Sequence, residues 1–228
     1  MNLLQSFKNL TKFEFNLWLI SLLVVCSSAF LSGIENILYT IAAAIGVTAL
    51  IFVSKGDVIG QIITVIFSIF YGIISLTFNY YGEMITYVFM TTPMAILATI
   101  SWYKHPFKDR EVEVNHISKN EIIFMFILSI FVTFVFYLIL DFLNTPNIFF
   151  STLSITTSFI ASYLTFRRSP YYALAYSAND IVLMILWCLA SFLDIKYLSM
   201  VLCFFMFLFN DLYGFINWKR IKYSQEKK

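Results

Sequence analysis

The chain has 228 residues, 60% of them hydrophobic and only 12% charged, with a net charge of +2 and a mean hydropathy of +0.82. Soluble domains carry about 25% charged residues, and a globule of this length could not hide so much apolar surface, so lipid is the expected solvent. The near-neutral charge gives no argument for nucleic acid. Cys26, Cys188 and Cys203 stand singly in apolar runs, without metal spacing or a disulfide framework, and each is expected to be a small buried hydrophobe.

Apolar runs near the spanning length of about 20 residues fall at 16–32, 36–53, 58–78, 84–101, 120–140, 149–166, 171–192 and 196–217. They predict an all-α polytopic membrane protein with eight spans. No small-residue cleavage site follows the first run, which is expected to be retained as a span. Breaks fall at Ser32-Gly33, Lys55 to Asp57, Asn79 to Glu83, the 102–119 loop, Asp141 to Asn147, Arg167 to Pro170, and Asp194 to Lys196.

Helical phase sorts the polar residues of each span. In the second, Ala42, Gly46 and Ala49 suggest close packing. In the third, Gln61, Thr64, Ser68, Tyr71 and Ser75 form one polar stripe. In the fourth, Thr86, Tyr87, Met90, Thr91 and Met94 cluster around Pro93, which is expected to kink the helix and free a carbonyl. His105 and His116 lie in a charged loop and are expected to be solvated. The fifth span is apolar up to Asp141, as suits a lipid-facing connector. In the sixth, Ser151, Ser154, Ser158, Ser162 and Thr165 are expected to pack closely rather than bind. In the seventh, Asn179 and Asp180 share a side with Trp187 about two turns on, and in the eighth Asn210, Tyr213, Gly214 and Asn217 share a face.

Charge orients these spans. Fourteen of the 15 Lys and Arg fall on one side of the eight-span arrangement, and only Lys196 on the other. The rich side is expected to be cytoplasmic, with both termini on it. The tail from Lys219 to Lys228 would then meet anionic headgroups. The chain also repeats itself. An offset of 116 pairs Tyr81 with Tyr197, Met84 with Met200, Trp102 with Trp218 and Tyr71 with Trp187, and an offset of 114 pairs Ile41 with Ile155 and Phe52 with Phe166. Two copies of a three-helix unit, held parallel by the fifth span, make a 3+1+3 core with the first span added in front. The expected division is 1–35 for the N-terminal segment and extra helix, 36–101 for the first repeat and 102–148 for loop and linker helix. The second repeat takes 149–218 and the basic tail 219–228. Transporter sites with such repeats lie at the repeat interface.

Two Asn-Asp pairs, Asn179-Asp180 and Asn210-Asp211, sit inside the last two spans. A carboxylate near mid-membrane costs about 2.5–3.5 kcal/mol on insertion scales, so these groups need a partner, a wet cavity or a ligand. Counting from the helix ends puts Asn179 roughly 12 Å and Asn210 and Asp211 roughly 10 Å into the membrane, level enough to touch. Trp187 lies further in. Amides and carboxylates below an aromatic ring suit a ligand with a flat ring and a hydroxylated tail. The same residues are open to structural roles: Asn as interhelical glue, Asp180 and Asp211 as locks for Arg or Lys. No Walker A, H-E-x-x-H or G-x-S-x-G pattern is present, so neither ATP-driven transport nor an enzyme is expected. No metal or cofactor is expected either.

The motifs around these residues carry a resemblance. Ala178-Asn179-Asp180-Ile181-Val182-Leu183 with Trp187, and Asn210-Asp211-Leu212-Tyr213-Gly214-Phe215 with Asn217-Trp218, resemble the PnuC family of nicotinamide riboside transporters. Tyr81-Gly82-Glu83, Pro93-Met94 and Trp102-Tyr103-Lys104 agree, while Thr86 and Ala95 depart from the family pattern. The resemblance implies a 3+1+3 fold related to the SWEET sugar transporters and facilitated uptake of a vitamin-like nucleoside across a bacterial inner membrane. It leaves a homo-oligomer open, with no interface legible in the residues. Trp187 and Tyr71 would flank the ring, and Asn179, Asn210 and Tyr213 would bind ribose or amide. Tyr87, Thr86 and Gln61 complete the candidate site, and Asp180 and Asp211 would orient those groups or close a gate. Thiamine, riboflavin or deoxynucleosides as cargo, H⁺- or Na⁺-coupled symport, and a membrane-embedded enzyme or receptor are the alternatives.

Overall fold

The computed structural model describes residues 3–32, 37–77, 81–108 and 111–227. The expected breaks at Gly33 and Asn79, and Arg110 and Lys228 of the charge count, lie outside the described residues. A short helix α1 (Leu3–Lys8) precedes α2 (Lys12–Ser32), α3 (Ile37–Ser54) and α4 (Val58–Thr77). The fourth span is one run in three pieces: α5 (Tyr81–Thr86), a π-helical turn (Tyr87–Thr91) and α6 (Thr92–Lys104). After a small hairpin, β1 (Pro106–Lys108) and β2 (Glu111–Val112), come α7 (Lys119–Phe142), α8 (Ile148–Phe166), α9 (Tyr171–Ser191) and α10 (Leu198–Glu226). Among the described residues eight helices are long and apolar enough to cross a membrane. Lys219 onward continues α10, whose 29 residues run about 44 Å, well beyond the hydrocarbon thickness of about 30 Å.

Pro93 does disturb its helix, through the π-helical turn that ends just before it. The Thr92 amide bonds back to the Tyr87 carbonyl, and the Thr92 hydroxyl donates to the same oxygen at 2.8 Å. These bonds close the wider turn, which packs against α4 and α8.

Glycine makes the α3–α4 corner. Gly56 turns the chain with φ +68°, a conformation that a side chain resists. At Gly60 an added Cβ would lie 2.4 Å from the Val53 amide nitrogen. Only a glycine lets α4 approach the α3 backbone so closely.

The face bearing Lys55, Lys104, Arg167 and Lys219, here the basic face, is closed by two tryptophans. Trp102 Nε1 donates to the Thr165 carbonyl at 2.8 Å, and Trp218 Nε1 to the Val53 carbonyl at 2.9 Å. Both side chains are fully buried, and their rings lie 5.2 Å apart. Val53, Leu164, Tyr172 and Val112 pack around them. The hairpin covers this cluster. Its Val112 amide donates to the Gly56 carbonyl at 3.0 Å, and Gln225 Nε2 from α10 donates to the Val112 carbonyl at 3.0 Å. Arg168 Nε donates to the Glu113 carbonyl at 3.0 Å, and its Nη1 to Ser101 Oγ at 2.7 Å. Burial of that guanidinium lowers its pKa. His105 and His116 are exposed, as expected, yet not free: His105 Nδ1 lies 3.0 Å from Arg168 Nη1, and His116 pairs with Glu226 at 3.2 Å.

The N-terminal segment staples the same face. Phe7 packs edge-on against Phe52 at 4.9 Å and Trp18 at 5.1 Å, and Ser6 Oγ donates to Asp57 at 2.6 Å. Glu14 accepts from Lys55 Nζ at 2.9 Å and from the Thr11 amide at 2.7 Å. At the opposite face Asp194 caps the turn Ile195–Tyr197. Its hydrogen bonds to Lys196 hold that carboxyl below the usual range. α7 presents Ile123, Phe124, Ile127, Ile130, Phe131 and Phe134 outward, the band expected of a connector facing lipid. Cys26 corrects an expectation, because it is exposed rather than buried. On α2, a helix that touches the bundle along one side only, its thiol points outward.

Candidate functional site

Three linked chambers run through the bundle. The outer one is walled at the face opposite the basic one by Tyr81, Thr145, Asn147, Leu193 and Tyr197. The middle one lies between Tyr71, Thr86, Tyr87, Asn179 and the α8 hydroxyls of Ser151, Ser154 and Ser158. Glu83 and Trp187 line both. The inner one is walled by Gln61, Thr64, Thr165, Tyr176, Asp180 and Asp211. Tyr87, Thr91, Ser158, Asn179, Leu183 and Phe204 stand at the border between middle and inner chambers. The Trp102–Trp218 cluster, with Tyr172, closes the path below.

Helical spacing explains the walls. Asn179, Leu183 and Trp187 recur at intervals of four on α9, and Ser151, Ser154 and Ser158 at three and four on α8. Asn179 Oδ1 accepts from Thr157 at 2.8 Å, which leaves its Nδ2 for the chamber. The Thr86 hydroxyl is held by the Gly82 carbonyl at 2.9 Å. Tyr71 stacks obliquely on Tyr87 at 4.4 Å, and its hydroxyl donates to Glu83 at 3.0 Å. Trp187 leans on Tyr197 at 5.5 Å with 38° between the rings. One wall of middle and outer chambers is therefore aromatic, and the other carries hydroxyls and an amide.

The electrostatics have one sign. Glu83, Asp180 and Asp211 line the path, and no Lys, Arg or His among the described residues lines any of the three chambers. The carboxyl groups of Asp180 and Asp211 meet each other, and Asp180 Oδ2 is buried without a donor. Among the described residues no ion pair involves either of them. The reading of these two as locks for Arg or Lys therefore fails.

Eight of the ten candidate residues come together: Trp187, Asn179, Tyr71, Tyr87, Thr86, Gln61, Asp180 and Asp211. Two do not. Asn210 is 1% exposed and turned to α2, where its Nδ2 donates to Ser21 Oγ at 2.9 Å and to the Met206 carbonyl at 2.8 Å. Tyr213 points the same way, and its hydroxyl donates to Glu14 Oε1 at 2.8 Å. One residue turns an α-helix by 100°, so Asp211 faces the chambers and its neighbour cannot. Asn217 ties Ser54 instead, at 2.9 Å. Ala95 is buried in packing, away from the chambers. The α8 hydroxyls correct an expectation, since Ser151, Ser154 and Ser158 wall the middle chamber, while Ser162 bonds Tyr176 at 3.0 Å. Gly46 and Ala49 border the inner chamber as well as packing helices. Tyr213→Phe is accordingly expected to leave ligand affinity unchanged and to cost stability by about 1.5–3 kcal/mol, the range for a hydrogen bond to a charged group. A thermal melt beside a ligand titration checks both halves.

Comparison with known proteins bears on the fold and the family. A curated relative, the nicotinamide riboside transporter PnuC of Neisseria mucosa, is 25% identical over 217 residues, which cover 92% of this chain and 82% of the relative. A crystal structure of the vitamin B3 transporter PnuC superposes with a TM-score of 0.80 at 24% identity, covering 95% of this chain and 94% of the other. The family model described as nicotinamide mononucleotide transporter matches residues 36–220. Spanning helices, a polar path between them and a family match over most of the length have one consequence: the chain belongs to the nicotinamide mononucleotide transporter family of membrane transporters, not to an enzyme family.

Proposed function

We propose that this protein carries nicotinamide riboside, not the mononucleotide, across the membrane. The family description names the phosphorylated compound and the curated relative the riboside. The supporting observation is the sign of the path: three carboxyl groups and no basic side chain among the described residues that line it. A phosphate monoester brings about −1.5 to −2 charges at neutral pH and wants Arg, Lys or a helix N-terminus. The riboside brings one positive ring and hydroxyls. The ring fits the wall of Trp187, Tyr71 and Tyr87, and the ribose fits Asn179 and the α8 hydroxyls.

The basic face is the cytoplasmic one, which sets both termini inside and makes the structure an outward-facing form in a bacterial-type inner membrane. The Trp102 and Trp218 bonds support the 3+1+3 reading. Each closing helix of one three-helix unit bonds the first helix of the other, and the two rings meet between them. Rocking of the units about the middle chamber would expose it to either side in turn. Metabolic trapping of the cargo inside would maintain net uptake without a coupling ion.

Calorimetric titration of the purified protein with nicotinamide riboside, its mononucleotide, thiamine, riboflavin and a deoxynucleoside tests this reading. Saturable heat is expected for the riboside, with at least a hundredfold weaker binding of the mononucleotide, about 2.7 kcal/mol. Tighter binding of the mononucleotide overturns the reading. The unpaired Asp180–Asp211 pair favours a second reading, coupling to H⁺. Uptake by proteoliposomes that persists after the proton and sodium gradients are collapsed removes it.

A further inference from the structure

We infer that Glu83 is the counter-ion of the pyridinium ring and makes the site select the cationic riboside over its neutral dihydro form. This inference rests on the nicotinamide riboside reading above. Glu83 stands two residues inside the start of α5 and lines both the outer and the middle chamber, as Trp187 does. Tyr71 and Ser75 hold one of its oxygens, at 3.0 and 3.5 Å. The other oxygen, Oε1, has no hydrogen-bond or ion-pair partner among the described residues.

A carboxylate so placed in a membrane protein needs a partner, a wet cavity or a ligand, and no basic side chain among the described residues lines either chamber. The cargo is the one cation that must pass this point. Tyr71 fixes the carboxylate by its hydroxyl while its ring, 4.4 Å from Tyr87, stays on the aromatic wall. A planar cation between that wall and Trp187 gains from the ring faces as well as from the carboxylate. Away from bulk water, one such charge contact outweighs a tenfold preference. The dihydro form has nearly the same shape and hydrogen-bonding groups but no ring charge. A site that recognised shape alone would bind both.

The test compares nicotinamide riboside with its dihydro form, by calorimetry, on wild type and Glu83→Gln. The expected wild-type preference for the cation is at least tenfold. Glu83→Gln keeps the size and one acceptor for Tyr71. It should weaken the cation by tenfold or more, leave the dihydro form within about threefold, and so erase the preference. An unchanged preference in Glu83→Gln overturns the assignment, as does an equal loss of both ligands. Should Glu83→Gln fail to fold, wild type still tests the assignment, because equal affinity for the two forms overturns it. A folded wild type that binds neither form refutes the nicotinamide riboside reading itself, a result distinct from binding without charge preference.

Discussion

Trp187→Ala is expected to weaken binding of nicotinamide riboside by roughly tenfold or more while the protein melts normally. Trp187 lines two chambers and touches Tyr197 obliquely, so its face is open to a ligand rather than filled by packing. It is only half-buried, and its removal leaves no sealed cavity to destabilise the bundle. Stacking of a base on an aromatic side chain contributes about 1–3 kcal/mol by alanine substitution. A positive ring adds a cation–π term of about 0.5–2 kcal/mol. Together these amount to about 1.5–5 kcal/mol, a loss of roughly tenfold to several thousandfold. Trp187→Phe should recover part of it. The other tryptophans supply an internal control. Trp18 donates to Thr48 at 3.1 Å, and Trp102 and Trp218 are sealed in the basic face. A ligand-dependent change in wild-type fluorescence should therefore vanish with Trp187. Wild-type affinity in a normally melting Trp187→Ala protein would sink the placement of the ring.

How far the sequence reveals such a protein depends on which physical signal a feature leaves in it. Spans are legible because the bilayer sets one length and one polarity. The predicted runs match the helices to within a few residues, apart from the last turns of α10, where the basic tail continues the helix into water. Facing within a span is less legible. A helix apolar on most sides gives its few polar residues no reference direction, and an error of one residue is 100°. Asn210 looked like a ligand because it is polar, and it proved to be glue between α10 and α2, whereas Asp211 beside it reaches the path. The serines of α8 erred the other way. A small-residue stripe suits helix contact and a cavity wall equally, and only the neighbouring helices decide which it becomes. Glu83 stood in view within Tyr81-Gly82-Glu83, but at the expected edge of its span, where a carboxylate is ordinarily solvated. Its role needed the Tyr71 and Ser75 contacts from another helix. The hairpin strap left no local signal either, since its anchors Gly56, Arg168 and Gln225 are far apart in the chain.

Trp218→Ala is expected to lower stability by about 3–5 kcal/mol, the cost of removing a fully buried aromatic side chain, and to open the basic face. Trp218 does two jobs with one ring. Its Nε1 satisfies the Val53 carbonyl at the end of α3, and its faces meet Trp102 at 5.2 Å and Tyr172 at 5.1 Å. The Tyr172 contact lies within the second of the proposed three-helix units, whereas the contacts with Val53 and Trp102 span the boundary between the two. If those units rock during transport, the boundary contacts exist only in the form closed at this face. A contact present in one conformer and absent from the other acts on their equilibrium, not on stability alone. Loss of about 3 kcal/mol from the closed form shifts the populations by roughly a hundredfold. The readout is access to the inner chamber. Thr64→Cys places a thiol there, and a membrane-impermeant thiol reagent added from the basic side should label it faster when Trp218 is Ala. Trp102→Ala should act alike, because its bond to Thr165 is the reciprocal one. Trp218→Phe keeps most of the ring contact and loses only the hydrogen bond, worth about 1 kcal/mol, so its labelling should lie between. Unchanged labelling in a Trp218→Ala protein that melts lower would make the two tryptophans packing alone, and the gate would have to be sought in the hairpin strap above them.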